Sequence, residues 1–134
     1  MAEASQGLVD TSVVIDLDHI DAERLPRELA ISAITMAELA AGPHSTADAG
    51  ERARRQDRLQ RAEANFDPLP FDGDAARAYG RIYAAILVAG RKAGGPRAVD
   101  LLIASTAVAA NLPLYTRNVD DFRGLEDLLT VVGV

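Results

Sequence analysis

Hydrophobic residues in this chain fall into short continuous runs and into longer stretches with helical spacing. Leu8 and Val9 form the first run, which predicts a buried strand, and the apolar positions between residues 13 and 17 predict a helix close behind it. Three further runs predict strands, at residues 28–32, 113–116 and 129–132. The strands are therefore short and widely separated along the chain.

Four longer stretches predict the remaining helices, at residues 32–41, 47–65, 72–93 and 99–110. In the helix at 32–41 we expect Ile34, Ala37 and Ala41 to share the buried face. The helix at 47–65 is rich in alanine, arginine and glutamate, which is typical of an exposed helix.

The helix at 72–93 carries an apolar stripe, which we interpret as core, with a surface for a second copy of the chain as the alternative. The stripe consists of Tyr79, Ile82, Tyr83, Ile86 and Ala89. Strands that alternate with helices imply a parallel sheet covered on both faces. We therefore predict an α/β fold, with residues 1–134 forming a single domain.

Composition excludes several classes of protein. The hydrophobic fraction of 49% is typical of a folded chain, and the absence of cysteine excludes disulfides and thiolate metal sites. Residues 1–6 lack the basic and apolar regions of a secretory signal, and no apolar run is long enough to span a bilayer. We expect a cytoplasmic protein without a membrane segment.

The net charge of −6 argues against general binding to nucleic acid, since phosphates repel a negative surface. That objection weakens if carboxylates are gathered in one pocket and neutralised by bound cations. Lys92 is the only lysine beside thirteen arginines, so any phosphate contact would come mostly from arginine.

Four carboxylates lie next to predicted strand ends or helix starts, and each also has an ordinary structural explanation. Asp10 can cap the first helix, and Asp100 can complement the dipole of the helix that it opens. Glu38 completes a capping box if its helix begins at Thr35, but lies one turn further along if the helix begins earlier. Asp121 lies in a polar turn, where aspartate is common.

Their recurrence suggests more than four separate caps and turns. In a doubly wound sheet, the ends of strands and the starts of helices converge on one edge, where ligands bind. Four carboxylates brought together there would repel one another unless cations were bound between them. Because Mg²⁺ and Mn²⁺ prefer oxygen ligands, the set predicts a divalent metal site.

Four motifs in order resemble those of PIN-domain nucleases, and most closely those of VapC-type toxins of bacterial toxin–antitoxin pairs. The motifs occupy residues 9–12, 34–39, 100–104 and 116–122. The resemblance implies a PIN-like α/β/α sandwich with a short, mostly parallel central sheet. It also implies a metal-dependent endoribonuclease that cuts structured RNA such as tRNA or rRNA, forms a homodimer, and is neutralised by a VapB-type antitoxin whose tail fills the active groove.

Carried onto this sequence, the resemblance implies an acidic set that holds Mg²⁺ or Mn²⁺ and performs catalysis. The set is Asp10, Glu38, Asp100 and Asp121. The polar positions implied to support it are Thr11, Ser12, Thr116 and Asn118. Asp120 is adjacent to the fourth acid, and we favour Asp121 because it directly precedes Phe122.

Metal ions held by these acids would activate a water molecule that displaces the 3′ oxygen in line and leaves a 5′ phosphate. A ribonuclease mechanism based on a histidine pair has little support. The only histidines, His19 and His44, lie in polar, turn-like surroundings, where we expect surface residues.

Two basic segments are candidates for RNA contact. Arg91, Lys92 and Arg97 flank a Gly-Gly-Pro break just before Asp100, although cations also commonly decorate a helix C-terminus. The helix at 47–65 carries a second set, Arg54, Arg55, Arg58 and Arg61. Acidic neighbours nearly balance that set, and we interpret it as a solvated face.

Three other functions fit parts of the sequence. Asp16 and Asp18 have the spacing of a phosphatase acid pair, but that class needs a lysine near the sheet edge, and Lys92 lies late in a long helix. A PIN-like interaction domain without catalysis would be expected to lack one of the acids. A DNA-directed nuclease stays open, because the metal chemistry does not select the sugar.

Overall fold

The computed structural model describes residues 5–134, so most of the segment considered above as a secretory signal lies outside the described residues. The strands are β1 (Gln6–Val9), β2 (Glu28–Ala30), β3 (Leu114–Thr116) and β4 (Val131–Gly133). The helices are α1 (Thr11–Ile15), α2 (Ala33–Ala41), α3 (Ala49–Asn65), α4 (Gly73–Val88) and α5 (Arg97–Ala110). Short 3₁₀ helices cover Leu17–His19, Ala22–Arg24, Gly42–Ser45 and Val119–Phe122.

The four strands form one sheet in the order β2-β1-β3-β4, and every pair of neighbours is parallel. Leu8 of β1 aligns with Ala30 on one side and with Leu114 on the other. Leu114 in turn aligns with Val131 of β4. The strand that follows α5 therefore lies directly beside the first strand of the chain.

Helices cover both faces of the sheet because successive strand residues point to opposite sides. Leu8 and Leu114 belong to a core that also contains residues of α4 and α5, including Ile82 and Leu101. On the other face, the core contains Val9, Val13, Val14, Ile31, Leu39, Leu59 and Tyr115. The structure thus confirms the predicted α/β/α sandwich with a short, parallel central sheet.

Gly7 allows Tyr115 to pack against β1. A Cβ atom at residue 7 would lie 2.5 Å from Cε1 of the Tyr115 ring, which is closer than atoms can approach. Tyr115 is buried, and it belongs to the core between the sheet and helices α1 to α3. The glycine is therefore required by side-chain packing from the neighbouring strand.

Three helices begin at the carboxyl edge of the sheet. Helices α1 and α2 follow the carboxyl ends of β1 and β2 almost directly. The C-terminus of α5 leads into the start of β3, so the N-terminus of α5 lies near the carboxyl edge. This is the edge where ligands bind in open α/β sheets. The connectivity thus brings together segments that are far apart in the sequence.

Helix α4 ends at Val88, five residues before the predicted end at 93. Gly90 has a φ of 74°, a left-handed conformation that glycine adopts without strain, and the amide of Arg91 donates to the carbonyl of Ile86. This is the hydrogen-bond pattern of a glycine-terminated helix. The Gly-Gly-Pro sequence at 94–96 therefore lies in the loop beyond the helix and does not mark its end.

The buried faces of α2 and α4 differ from those predicted. On α2, Ala37 and Ala41 are exposed, and the buried residues are Thr35 and Leu39, with Ile34 partly buried. Thr35 and Leu39 lie four residues apart on one side of the helix, and Ala37 and Ala41 lie on the opposite side, which faces solvent.

On α4, part of the predicted stripe is core and part is surface. Ile82 and Ile86 are fully buried, but Tyr83 is 42% exposed and Ala89 is also exposed. Ala75 and Ala78 complete the buried side, because they lie at helical spacing from the isoleucines. A second copy of the chain on the exposed side stays a prediction.

No helix within residues 5–134 is long and apolar enough to cross a membrane.

Candidate functional site

Asp10 is the first residue after β1 and lies at the carboxyl edge with only 5% of its surface exposed. Its Oδ1 atom accepts hydrogen bonds from the Ser12 hydroxyl at 2.6 Å and from the Val13 amide at 3.2 Å. The second bond caps helix α1, so the structural interpretation of Asp10 is correct. The cap also holds the carboxylate at the edge of the sheet, and it does not exclude a role in a site.

Glu38 lies in the second turn of α2, since Ser32 is the residue that caps this helix and accepts from the Thr35 amide at 3.0 Å. The capping-box interpretation of Thr35 and Glu38 is therefore wrong. The Thr11 hydroxyl lies 2.5 Å from Oε1 of Glu38 and 3.1 Å from the Thr35 hydroxyl. Thr11 thus links the start of α1 to Glu38 across the carboxyl edge.

Asp100 lies in the first turn of α5 and is half-buried. The pKa of its carboxyl is raised to about 6, first by burial and then by the charges of Asp121, Asp10 and Glu38, while Arg97 opposes the shift. Three carboxylates from other elements are thus close enough to act on Asp100. The structure brings the four predicted acids into one electrostatic cluster.

Asp121 and Asp120 are adjacent in the 3₁₀ helix Val119–Phe122, but they point to different surroundings. Asp121 lines the same cavity as Asp100 and is the neighbouring charge that acts on it most strongly. Asp120 is exposed and forms an ion pair with Arg123 at 2.8 Å. Phe122, the next residue, is buried in the core and anchors the turn. The turn therefore cannot easily rotate to bring Asp120 into the position of Asp121.

The four polar residues predicted to support the acids divide into two pairs. Thr11 and Ser12 donate directly to Glu38 and Asp10, as described above. Thr116 is fully buried at the end of β3, and its hydroxyl accepts from the Asn118 amide at 3.0 Å. Thr116 and Asn118 therefore shape the turn that leads to Asp121, and they reach the acids only through the backbone.

Within residues 5–134, no three acidic or histidine side chains are arranged so that they could hold a metal ion. Two of the acids are instead engaged with hydroxyl groups, those of Ser12 and Thr11. Metal binding therefore stays a prediction, and it requires the carboxylates to turn towards a shared ion.

A cavity of about 550 Å³ lies beside the acids and is lined by both signs of charge. Its walls contain Arg91, Lys92, Arg97, Asp100, Asp121 and Arg123. The three cations predicted as RNA contacts thus lie in one place, next to the two acids. Arg91 does not decorate the C-terminus of α4 but reaches across to the turn that carries Asp121, where its guanidinium donates to the carbonyls of Asp120 and Arg123.

The arginines of α3 are largely compensated by neighbouring acids. Arg54 and Arg55 both pair with Glu51 at 2.9 Å, and Arg61 pairs with Asp57 at 3.0 Å. The two arginine hydrogen bonds lower the pKa of the Glu51 carboxyl. This pattern agrees with the interpretation of α3 as a solvated face.

Other candidates from the sequence lie on the surface. His19 and His44 are both exposed. Asp16 and Asp18 follow α1, one helix away from the end of β1, and they face Arg117 and Arg61. This acid pair therefore lies away from the end of β1, where a site at the sheet edge would be built, and its position does not favour a phosphatase.

Sequence reasoning missed three residues that shape the site. Ser32 caps α2, Thr35 is fully buried with its hydroxyl 3.1 Å from that of Thr11, and Arg123 lines the cavity. Serine three residues before threonine is a signal for a cap at 32, and it competed with the equally good signal at Thr35. Nothing in the sequence around Arg123 connects it to Asp100.

Comparison with known proteins agrees with this architecture. The chain matches the PIN domain family over residues 7–128. It is 34% identical to Ribonuclease VapC5 of Mycobacterium tuberculosis over 128 residues, which cover 93% of this chain and 91% of that protein. Ribonuclease VapC of Rickettsia bellii is 29% identical over 125 residues, which cover 90% and 91%.

A solved structure gives the same result. The crystal structure of VapBC-5, a member of the VapBC family of toxin–antitoxin systems from Mycobacterium tuberculosis, matches with a TM-score of 0.86 and 32% identity. The match covers 97% of this chain and 99% of that one. The resemblance that the four motifs carried is confirmed, and the chain belongs to the PIN-domain family.

Proposed function

We propose that this protein is the VapC-type toxin of a toxin–antitoxin pair and acts as a metal-dependent endoribonuclease. The observation that carries the proposal is the convergence of four carboxylates at the carboxyl edge of the sheet, beside a cavity lined with cations. The names of the two relatives reported above, which are ribonucleases, support the choice of RNA. The kind of RNA is proposed from the resemblance alone, as structured RNA such as tRNA or rRNA.

The donor set suits a hard divalent cation. Asp10, Glu38, Asp100 and Asp121 offer only carboxylate oxygens, which Mg²⁺ and Mn²⁺ prefer. Their repulsion, which contributes to the raised pKa of Asp100, would be relieved by a positive ion. When bound, such an ion would supply Lewis-acid stabilisation of the phosphate charge and activation of water.

The residues of the chain have three separate tasks in this proposal. Asp10 and Asp100 hold the cation, together with Glu38 and Asp121, and Thr11 and Ser12 orient two of these carboxylates through their hydroxyl groups. Lys92 is exposed in the cavity wall, where its ammonium can meet a phosphate of the substrate. Each task therefore falls on a different set of side chains.

The partner that we propose is an antitoxin of the VapB type. The VapBC-5 structure, which is similar to this chain along nearly its whole length, comes from a toxin–antitoxin system, and this supports the proposal. The segment that neutralises the toxin would occupy the groove at the acidic cluster and exclude RNA from it. Addition of this partner is expected to stop cleavage without altering the fold.

The experiment is incubation of purified protein with total bacterial RNA, with and without Mg²⁺ or Mn²⁺, followed by mapping of the new ends. We expect discrete fragments with 5′ phosphates that appear only with metal. The Asp10→Asn variant is expected to be inactive although folded, since asparagine is also a good helix cap. Asp57→Asn on α3 is the matched control and is expected to keep full activity.

The outcomes separate the proposal from its alternatives. Cleavage of single-stranded DNA but of no RNA would replace the proposed substrate. Fragments that end in cyclic phosphates, or cleavage that persists in Asp10→Asn, would contradict the proposed chemistry. A folded protein that binds neither Mn²⁺ nor RNA would favour an interaction domain.

A further inference from the structure

The 3₁₀ turn that carries Asp121 is held by two arginines from other elements. One guanidinium nitrogen of Arg91 donates to the carbonyl of Asp120 at 3.0 Å and to that of Arg123 at 2.7 Å. A nitrogen of Arg97, the first residue of α5, donates to the carbonyl of Asp121 at 2.8 Å. The carbonyl groups of residues 120, 121 and 123 thus all accept hydrogen bonds from guanidinium groups.

Asp121 needs such a restraint because of where it lies. Its carboxylate raises the pKa of Asp100 through charge repulsion. That repulsion favours movement of the turn away from α5. Phe122 anchors one end of the turn in the core, and the Asp121 amide donates to the carbonyl of Asn118 within the turn. Phe122 packs in a core that also contains residues of α5, but the bond from Arg97 is the contact that reaches the backbone of Asp121 itself.

We propose that Arg91 and Arg97 are positioning residues, which hold the turn so that Asp121 faces Asp100 and the site can bind a divalent cation. The part of this inference that concerns the cation rests on the proposed function, and the part that concerns the turn does not. Hydrogen bonds from a charged donor are the stronger kind, which suits this restraint. Arg91 and Arg97 were predicted as RNA contacts, and the inference gives both of them a different task.

Lys92 is the internal comparison for this proposal. It lies next to Arg91 in the sequence and in the same cavity wall, but its side chain makes no hydrogen bond or ion pair with any part of the chain that the structure describes. Among the cations that the structure describes in this cavity wall, Lys92 is therefore free to meet a phosphate. If the arginines act only through charge, removal of Arg91 and removal of Lys92 must have similar effects.

The direction in which metal affinity changes distinguishes a charge effect from a positioning effect. Removal of a positive charge near the acids, by itself, strengthens the binding of a cation. Loss of a positioning contact weakens it, and changes behind metal ligands typically weaken binding by about 10- to 100-fold. Weaker binding in an arginine variant is therefore a sign of positioning that a charge effect cannot produce.

The experiment compares Arg91→Met, Arg97→Met and Lys92→Met, with Arg77→Met on α4 as the control. We expect Mn²⁺ to bind about tenfold more weakly to both site arginine variants and no more weakly to Lys92→Met. The backbone amides of residues 119–124 are expected to exchange hydrogen about tenfold faster in the arginine variants only. Lys92→Met is expected to raise KM for RNA with little change in kcat.

Arg91→Lys tests the contact itself, because a single nitrogen makes both bonds and an ammonium can restore part of them. It also serves if Arg91→Met does not fold, as judged by thermal melting. Wild-type exchange and wild-type Mn²⁺ affinity in both arginine variants would overturn the inference. If the wild-type protein neither binds Mn²⁺ nor cleaves RNA, the proposed function fails, and exchange alone then decides whether the arginines hold the turn.

Discussion

The carboxyl edge of the sheet and the outer face of α3 are both highly charged, but they balance their charges differently. On α3, Glu51 pairs with Arg54 and Arg55, and its pKa is lowered as a result. At the sheet edge, Asp100 is half-buried among other carboxylates, and its pKa is raised to about 6. One region stabilises its acids with neighbouring arginines, and the other concentrates acids at a cost in stability.

This difference teaches where to look for function in an acidic protein. Exposed ion pairs contribute little to stability and require no special explanation. A group of acids that destabilises the folded state does require one, since such a cost persists where a ligand offsets it. The contrast between α3 and the sheet edge therefore points to the site more clearly than either region does alone.

The largest effect is expected from removal of one acid at the sheet edge. Asp100→Asn should reduce metal-dependent cleavage by more than about 100-fold, because the variant lacks one of the carboxylates that we propose as metal ligands. The matched change on α3, Glu51→Gln, should leave the rate within about twofold, since exposed pairs have small energies. Initial rates of RNA cleavage measure both, and equal losses in the two variants would remove the contrast.

Metal binding should stabilise the folded protein through the same acids. At a Mn²⁺ concentration about 100 times its dissociation constant, we expect a gain in unfolding free energy of about 2.7 kcal/mol. At pH 5 the gain should shrink, because a proton on Asp100 competes with the cation. Urea unfolding with and without Mn²⁺ tests this, and an undiminished gain in Asp100→Asn would exclude Asp100 as a ligand.

Without metal, Asp100 should destabilise the protein at neutral pH. Its pKa is raised from 3.8 to about 6 on folding, so the folded state binds the extra proton between these values and stability falls as pH rises through that window. A shift of this size corresponds to at most about 3 kcal/mol. Solvent screening of a half-buried group reduces this to roughly 1–2 kcal/mol.

Asp100→Asn should therefore be more stable than the wild-type protein at pH 7.5, and the difference should disappear near pH 4. Chemical unfolding in the presence of a chelator measures this. Asp57→Asn on α3 is the control and should show no such gain at any pH. A destabilised Asp100→Asn protein at pH 7.5 would mean that the carboxylate makes a favourable contact that outweighs repulsion.

The smallest effect is expected on α3. The Glu51 pKa is lowered on folding, so its stabilising effect is present above the ordinary value of 4.5 and is lost as pH falls through the lower folded value. Because this side chain is partly exposed and its ion pairs lie at the surface, Glu51→Gln should change the melting temperature at pH 7 by no more than the error of the measurement. A clear loss of stability would show that the α3 network does more than solvate the helix.

Local patterns were sufficient for most of the elements. The apolar run at Leu8 and Val9 predicted β1, and the strongly apolar stretch at 99–110 predicted α5 to within two residues at its start. Both lie in the core, where burial on one or both sides leaves a clear hydrophobic signal. The sequence predicted the end of α4 less well. Gly90, which is in the left-handed conformation, ends this helix before the Gly-Gly-Pro sequence at 94–96 from which the end was predicted.

The acids were found from the sequence, but their surroundings were not. Asp10 and Asp100 stood out because each lies where a predicted helix begins, a position that the sequence records locally. The contact between Thr11 and Glu38 spans 27 residues, and the bond from Arg97 to Asp121 spans 24. No local pattern encodes either contact.

By itself, the sequence determined the alternation of strands and helices and the absence of thiolate chemistry, and it singled out four acids as the candidate site. The tertiary structure decided the strand order, which places β3 beside β1 and so brings the turn of Asp121 to Asp10. It also decided which cations of the cavity wall are free within residues 5–134, since there Arg91 and Arg97 bind backbone carbonyls and Lys92 does not. The physical reason is range, because hydrophobic periodicity acts over neighbouring residues, whereas repulsion between carboxylates and their restraint by arginine depend on distances that only the packed sheet sets.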